Sequence, residues 1–338
     1  MRMESGLIRG MVLQRDSRNC CDVHFRGGCE SAGIVELRVL RNTRAVRGFG
    51  WTQVGRAHRN RFSGRLKGLT TGGPYAVELR IVDENGRVRE RLRIDDVLIG
   101  DVWVLAGQSN MAGCGEATLR GKTLDAVRAF TMNDQWGPAE VPITDHWIAV
   151  DPVHKVLTLP GASRRPKTKA QGPGMSFGQF LHCVTGVPQG LIACAHGGTT
   201  MAQWDPGLKR LGGKSLFGAA CRRIKKNGGK IAGVLWYQGE SEMMPRQVEA
   251  YTPTMKKLIR AFRKAGGDTQ LPFVLVQLAR KYHKGDLNEQ HWNSIQEQQR
   301  LKQTLPGKFN DEYVEQLIER INQLGAYAQL PGGKIGAF

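Results

Sequence analysis

From Gly172 to Ala279 the chain alternates apolar runs with amphipathic segments, and this restricts the fold more than any other feature. GLIACAHGG, IAGVLWYQG and LPFVLVQLA are short, almost wholly apolar and rich in branched residues, as strands buried on both faces are. Between them SFGQFLHCV places Phe177, Phe180, Leu181 and Val184 on one helical face. SLFGAACRRIKKNGG turns Leu216, Ala219, Ala220 and Ile224 inward and stops at Asn227-Gly228. VEAYTPTMKKLIRAFRKAGG carries Tyr251, Met255, Leu258, Ile259 and Phe262 on one stripe. Strands alternating with helices predict a parallel sheet covered on both faces, an α/β fold.

The first 95 residues read differently. CDVHF, GIVELRVL, RFSGRL and PYAVELRIVD alternate with period two and are parted by turns such as Gly72-Gly73-Pro74 and Glu84-Asn85-Gly86. A small β-sandwich over residues 1–95 is expected, with a second domain from Asp96 whose first strand is VLIGDVWVLAG. Cys114 to Gln171 read as a long irregular insertion, where Trp136 and Trp147 are candidates to stack on sugar rings.

The chain has 338 residues and a formal net charge of +19, but its arginines are scattered through strands and turns. They form no basic helix with interleaved aromatics, so a basic surface is expected and not a nucleic-acid site. No run of eighteen apolar residues predicts a membrane span, and the N-terminus does not read as a signal peptide. Of the seven cysteines, Cys20, Cys21 and Cys29 lie near His24, but the spacing fits no standard zinc pattern; structural cysteines are expected.

Asp101 to Gly113, DVWVLAGQSNMAG, reads as a buried strand passing through Ala106-Gly107 into a polar turn and a helix. Ser109 is the candidate nucleophile at the carboxyl edge of the sheet, with helix N–H groups close by. The G-x-S-x-G elbow is not met, because Met111 stands at the second glycine.

Two further blocks follow, HGGTTMAQW from His196 and LWYQGESE from Leu235. With GQSNM and the opening phrase GMVLQR, they resemble the sialate O-acetylesterase family of SGNH hydrolases. The resemblance implies a flavodoxin-like SGNH hydrolase domain over residues 96–306, preceded by the β-sandwich. It implies removal of acetyl groups from sugars through an acyl-serine intermediate, with no metal and no cofactor. The partner is an acetylated sugar or polysaccharide, with no nucleic acid and no membrane. Family members are commonly exported, so the site of action stays open. Ser109 is then the nucleophile, and Gly198, with Gly197 as the alternative, supplies an oxyanion N–H. Gln238 supplies a side-chain amide donor to the oxyanion, and Trp204 packs beside the site. Glu240 orients the catalytic histidine, or is simply a carboxylate at a helix N-terminus.

One element of the family pattern is missing. An Asp-x-x-His is expected after the last strand, yet no histidine follows Pro306, and residues 307–338 read as an atypical tail. His283 and His291 lie upstream of the expected place. Asp151-Pro152-Val153-His154 has the spacing but falls inside the insertion. The resemblance therefore implies an esterase impaired by loss of its base, or a carbohydrate-binding relic of the same fold.

Overall fold

The computed structural model describes residues 1–116, 123–155, 169–242, 244–278 and 287–300. The fold is mixed α/β, an antiparallel half followed by a parallel half. The antiparallel half comprises β1 (Arg2–Ser5), β2 (Val12–Gln14), β3 (Cys20–Gly28), β4 (Gly33–Arg41), β5 (Arg44–Ala45), β6 (Thr52–His58), β7 (Arg61–Thr70) and β8 (Gly72–Val82). A long strand, β9 (Val88–Gly107), joins it to the rest. The order is β1-β3-β7-β6-β4-β8-β9, with β2 lying parallel to β9. Alternate residues of these strands, among them Phe25, Val35, Leu37, Val39, Phe62, Val77, Leu79 and Ile81, are buried together. Outward residues pair across strands, as Arg38 does with Glu78 and Arg80 with Glu36.

β9 changes character along its length. Val88 to Arg93 alternate half-buried and exposed, whereas Val97 to Gly107 are all buried. The first part has one face in solvent; the second is covered on both. The change falls at Asp96, whose φ is +61°, where the register against β8 slips between Ile94 and Val97.

In the second half, β11 (Val127–Phe130), β14 (Gln189–Ala193), β15 (Gly233–Tyr237) and β16 (Phe273–Leu275) join β9 in parallel. Their order is β11-β14-β9-β15-β16, and β12 (Trp136–Pro138) edges β11 antiparallel. A flavodoxin-like sheet would run second, first, third, fourth, fifth. Here the third strand, β14, takes the place beside β9 and displaces β11 to its far side. The result is that the strands carrying the second and third sequence blocks flank the strand carrying the first. Two short strands, β10 (Gly115–Glu116) and β13 (Lys169–Gln171), form a separate pair.

Ser109–Ala112 form α1, Pro152–Lys155 α2, Pro173–Thr185 α3, Leu216–Lys226 α4, Pro245–Gly266 α5 and Leu287–Arg300 α6. α3 starts with Pro173 and stops at Gly186, which adopts the left-handed conformation that suits glycine. The predicted stripes of α4 and α5 are buried throughout, but Val184 of α3 is exposed. Trp103 meets Phe177 edge-on at 4.9 Å and Phe217 meets Phe262 at 5.0 Å, tying α3 to the sheet and α4 to α5. No helix among the described residues is long and apolar enough to cross a membrane.

The insertion is less irregular than its sequence suggests, since it contributes both β11 and β12. Trp136 is not a sugar-stacking surface: it is buried, packs on Phe130 at 5.5 Å and donates its indole N–H to Asn227 Oδ1 at 2.7 Å. Trp147 is exposed. Cys21 and Cys29 are buried, and His24 is an exposed position of β3. His283 and the tail 307–338 lie outside the described residues.

Candidate active site

The three sequence blocks meet at Gly107. Its carbonyl accepts the N–H of His196 at 3.0 Å, while the N–H of Gln108 donates to Tyr237 O at 2.9 Å. A Cβ at Gly107 would stand 2.1 Å from Tyr237 O, and its φ is +134°. Only glycine permits the strand to turn here against β15.

Ser109 follows as the first residue of α1, half-buried at the carboxyl edge of the sheet. The expected helix is a single turn of four residues, closed at Gly113. On the β14 side a Cβ at Gly197 would lie 3.7 Å from Ser109 Cβ, so Gly197 is the glycine that faces the serine. Gly198 has a φ of +68° with open space where a side chain would be. Behind this turn Thr199 Oγ1 donates to His196 O at 2.8 Å and accepts the indole N–H of the buried Trp204 at 3.1 Å.

On the β15 side Gln238 makes contacts the sequence did not foretell. Its amide is fully buried and both N–H groups are engaged, one by Thr199 O at 3.2 Å and one by Glu242 Oε1 at 2.9 Å. In this arrangement it braces two loops, the Thr199 turn and the segment carrying Glu242. The physical reason is Glu242, a buried carboxylate that also accepts the N–H of Met201 at 2.6 Å. Sequence reasoning passed over Glu242; the acid two residues after Glu240 was the available signal.

Glu240 stands near Ser109 through the serine's neighbour. Asn110 Nδ2 donates to Glu240 Oε1 at 2.5 Å, while Oε2 is buried without a partner. Burial pushes its carboxyl up to about 7, against the Asn110 bond and backbone N–H groups that favour the anion. Its neutral form is thus favoured well above the usual carboxylate range.

Beside Gly197 lies a feature of a different kind. His146, His154 and His196 gather their rings with centroids 4.9–5.5 Å apart. His154 Nδ1 meets His196 Nδ1 at 3.0 Å, and His146 Nε2 donates to Ala195 O at 3.0 Å. Burial, with the neighbouring imidazoles second, pulls His154 down to about 2 and His196 to about 4. Asp151 does not orient His154 as an Asp-x-x-His pair would. Its carboxylate is held by Arg222 at 2.6 and 2.7 Å. Asp134 takes the other face of Arg222, together with the fully buried Arg223 and with Lys226.

Residues 99–309 match the family model described as carbohydrate esterase, sialic acid-specific acetylesterase. The chain is similar to a sialate O-acetylesterase of Pongo abelii, 28% identical over 312 residues, covering 82% of this chain and 57% of that protein. It is also similar to a probable carbohydrate esterase of Arabidopsis thaliana, 29% identical, covering 53% of this chain and 68% of the relative. Against the human sialate O-acetylesterase coverage is 48% of the relative, so the chain spans about half the length of these curated acetylesterases. Among solved structures, a carbohydrate acetylesterase from Xanthomonas citri shares the fold, with a TM-score of 0.57 and 23% identity, over 90% of this chain and 67% of the other. The chain belongs to the sialic acid-specific acetylesterase family of carbohydrate esterases.

Proposed function

We propose that this chain acts on O-acetyl esters of sugars with Ser109 as nucleophile. The observation that carries the reading is the convergence of all three blocks on Gly107, with Ser109 on one side and Gly197 within contact distance. In this mechanism Ser109 Oγ attacks the acetyl carbonyl carbon and passes its proton to a base. The tetrahedral oxyanion is met by backbone N–H groups of the Gly197-Gly198 turn. Collapse expels the sugar oxygen, which takes up the proton and leaves as a hydroxyl. Water then attacks the acyl-serine, releasing acetate and restoring Ser109. Glu240, with its unpartnered Oε2, is the acid that orients the base; Gln238 holds the Thr199 turn in position. Residues 1–95 read as a β-sandwich and 96–306 as the SGNH hydrolase domain.

The base is the weak member of the set. No histidine follows His291 in this sequence, the stretch where the resemblance implies the family's Asp-x-x-His. A serine without its base keeps only the catalysis that binding and the oxyanion hole supply. Turnover by this chain is therefore proposed to be slow. The engagement of Gln238 by Thr199 and Glu242 favours a second reading, a non-catalytic carbohydrate binder of the same fold.

Acetate release from O-acetylated sialic acid, with labelling by a serine-directed fluorophosphonate, separates the two. Release and labelling that both vanish in Ser109→Ala support the esterase. Sugar binding with neither release nor labelling supports the binder.

A further inference from the structure

We propose that His146, His154 and His196 form a transition-metal site. The cluster belongs to no step of the ester chemistry above. Its three imidazoles come from separate parts of the chain: a short 3-10 turn (His146–Ile148), α2, and the segment just after β14. One ring nitrogen of each lies within 4.8 Å of the others.

The geometry matches coordination. An imidazole bound to zinc at about 2.0–2.1 Å has its ring centre about 3.2 Å from the ion, so three on a tetrahedron have centres about 5 Å apart. The observed separations are 5.5, 4.9 and 5.2 Å. The two Nδ1 atoms of His154 and His196, 3.0 Å apart, need contract or open little to share an ion.

The surroundings match as well. His146 donates Nε2–H to the Ala195 carbonyl, which fixes its tautomer and leaves Nδ1 as a lone pair. A ligand histidine that donates its other N–H to a backbone carbonyl is the usual outer support of a metal site. His154 faces His196 through Nδ1. Two ring nitrogens facing each other need a proton or a cation between them.

Neutral imidazoles select zinc, cobalt, nickel or copper over magnesium or calcium. The nearby charges do not forbid a cation, since Arg222 and Arg223 are bound to Asp134 and Asp151. Three protein nitrogens leave one coordination position for water, yet the nearest consequence is mechanical. An ion here would fasten residues 146–154 of the insertion to the turn that carries Gly197.

The test uses the full chain purified without a histidine tag, stripped by chelator and titrated with Co2+ and Zn2+. One equivalent bound per chain is expected, with the intense visible absorption of tetrahedral Co2+ displaced by Zn2+. His154→Gln and His196→Gln should each weaken binding at least tenfold, while His24→Gln on β3 leaves it unchanged. The unaltered chain decides the matter even if a variant fails to fold. Absence of a stoichiometric Co2+ spectrum overturns the site and leaves three hydrogen-bonded neutral imidazoles. Binding that persists in both variants overturns it too.

Discussion

The two halves of the molecule handle polarity in opposite ways. Among the described residues, every buried polar or charged side chain lies at or beyond Asp101. The antiparallel half buries only apolar residues and leaves its charges in half-exposed cross-strand pairs such as Arg38–Glu78. The parallel half encloses Gln108, His154, His196, Arg223, Gln238 and Glu242. An enclosed polar group is stable only if its partners are in place, so it specifies an arrangement more sharply than an apolar contact does. The first half is held by area, the second by networks that converge on the candidate site.

The contrast can be broken at several points. The largest effect is expected in turnover. Ser109→Ala should remove measurable acetate release and leave the unfolding midpoint unchanged; retained release would name another nucleophile. Next is Arg223→Ala. Arg223 bonds Asp134 and the carbonyls of Phe130 and Thr131, and its loss leaves a buried carboxylate short of a partner. Breaking a buried pair costs about 3–5 kcal/mol, readable by denaturant unfolding.

Glu240→Gln should act through pH. The folded carboxyl titrates near 7, above its ordinary value of 4.5. Between those values the folded state binds more protons than the unfolded chain, so stability falls as pH rises through the window. The parent should lose about 2–3 kcal/mol from pH 4.5 to pH 8 that the glutamine variant keeps. Equal slopes for the two proteins would show that the carboxyl is not held above its usual range. The smallest effect belongs to the antiparallel half, where Arg38→Ala should cost less than about 1 kcal/mol. A loss as large as that of Arg223→Ala would erase the contrast.

Much of this was legible in the sequence where periodicity was strong. The stripes Leu216–Ile224 and Tyr251–Phe262 are buried as read, and the apolar runs at 190–193, 233–237 and 273–275 are strands. β11 was hidden because four residues, Val127–Phe130, carry too little alternation to stand out in a segment broken by glycine and proline. α1 was overestimated because a polar turn followed by Met111 resembles a helix start, whereas Gly113 ends it at once. The histidine cluster was invisible for another reason. Its members stand 8 and 42 residues apart, and only the pairing of β14 with β9 and the fold of the insertion bring them together. Gln238 was read as an amide donor at the end of its strand, and the hydrogen bond it gives Glu242 is one that no spacing rule reveals.

The continuity of β9 has a consequence for how the protein comes apart. Its 20 residues hydrogen-bond to β8 at one end and to β14 and β15 at the other. Severing the chain near Asp96 would leave Val88–Ile94 on β8 and Asp101–Gly107 between β14 and β15, while Val97–Gly100 still pair back to β8 and β2 of the first half. A single protease nick there should therefore leave the two pieces associated, eluting together on size exclusion. Heat should melt both together in a single calorimetric transition, with no hinge between them for substrate to open.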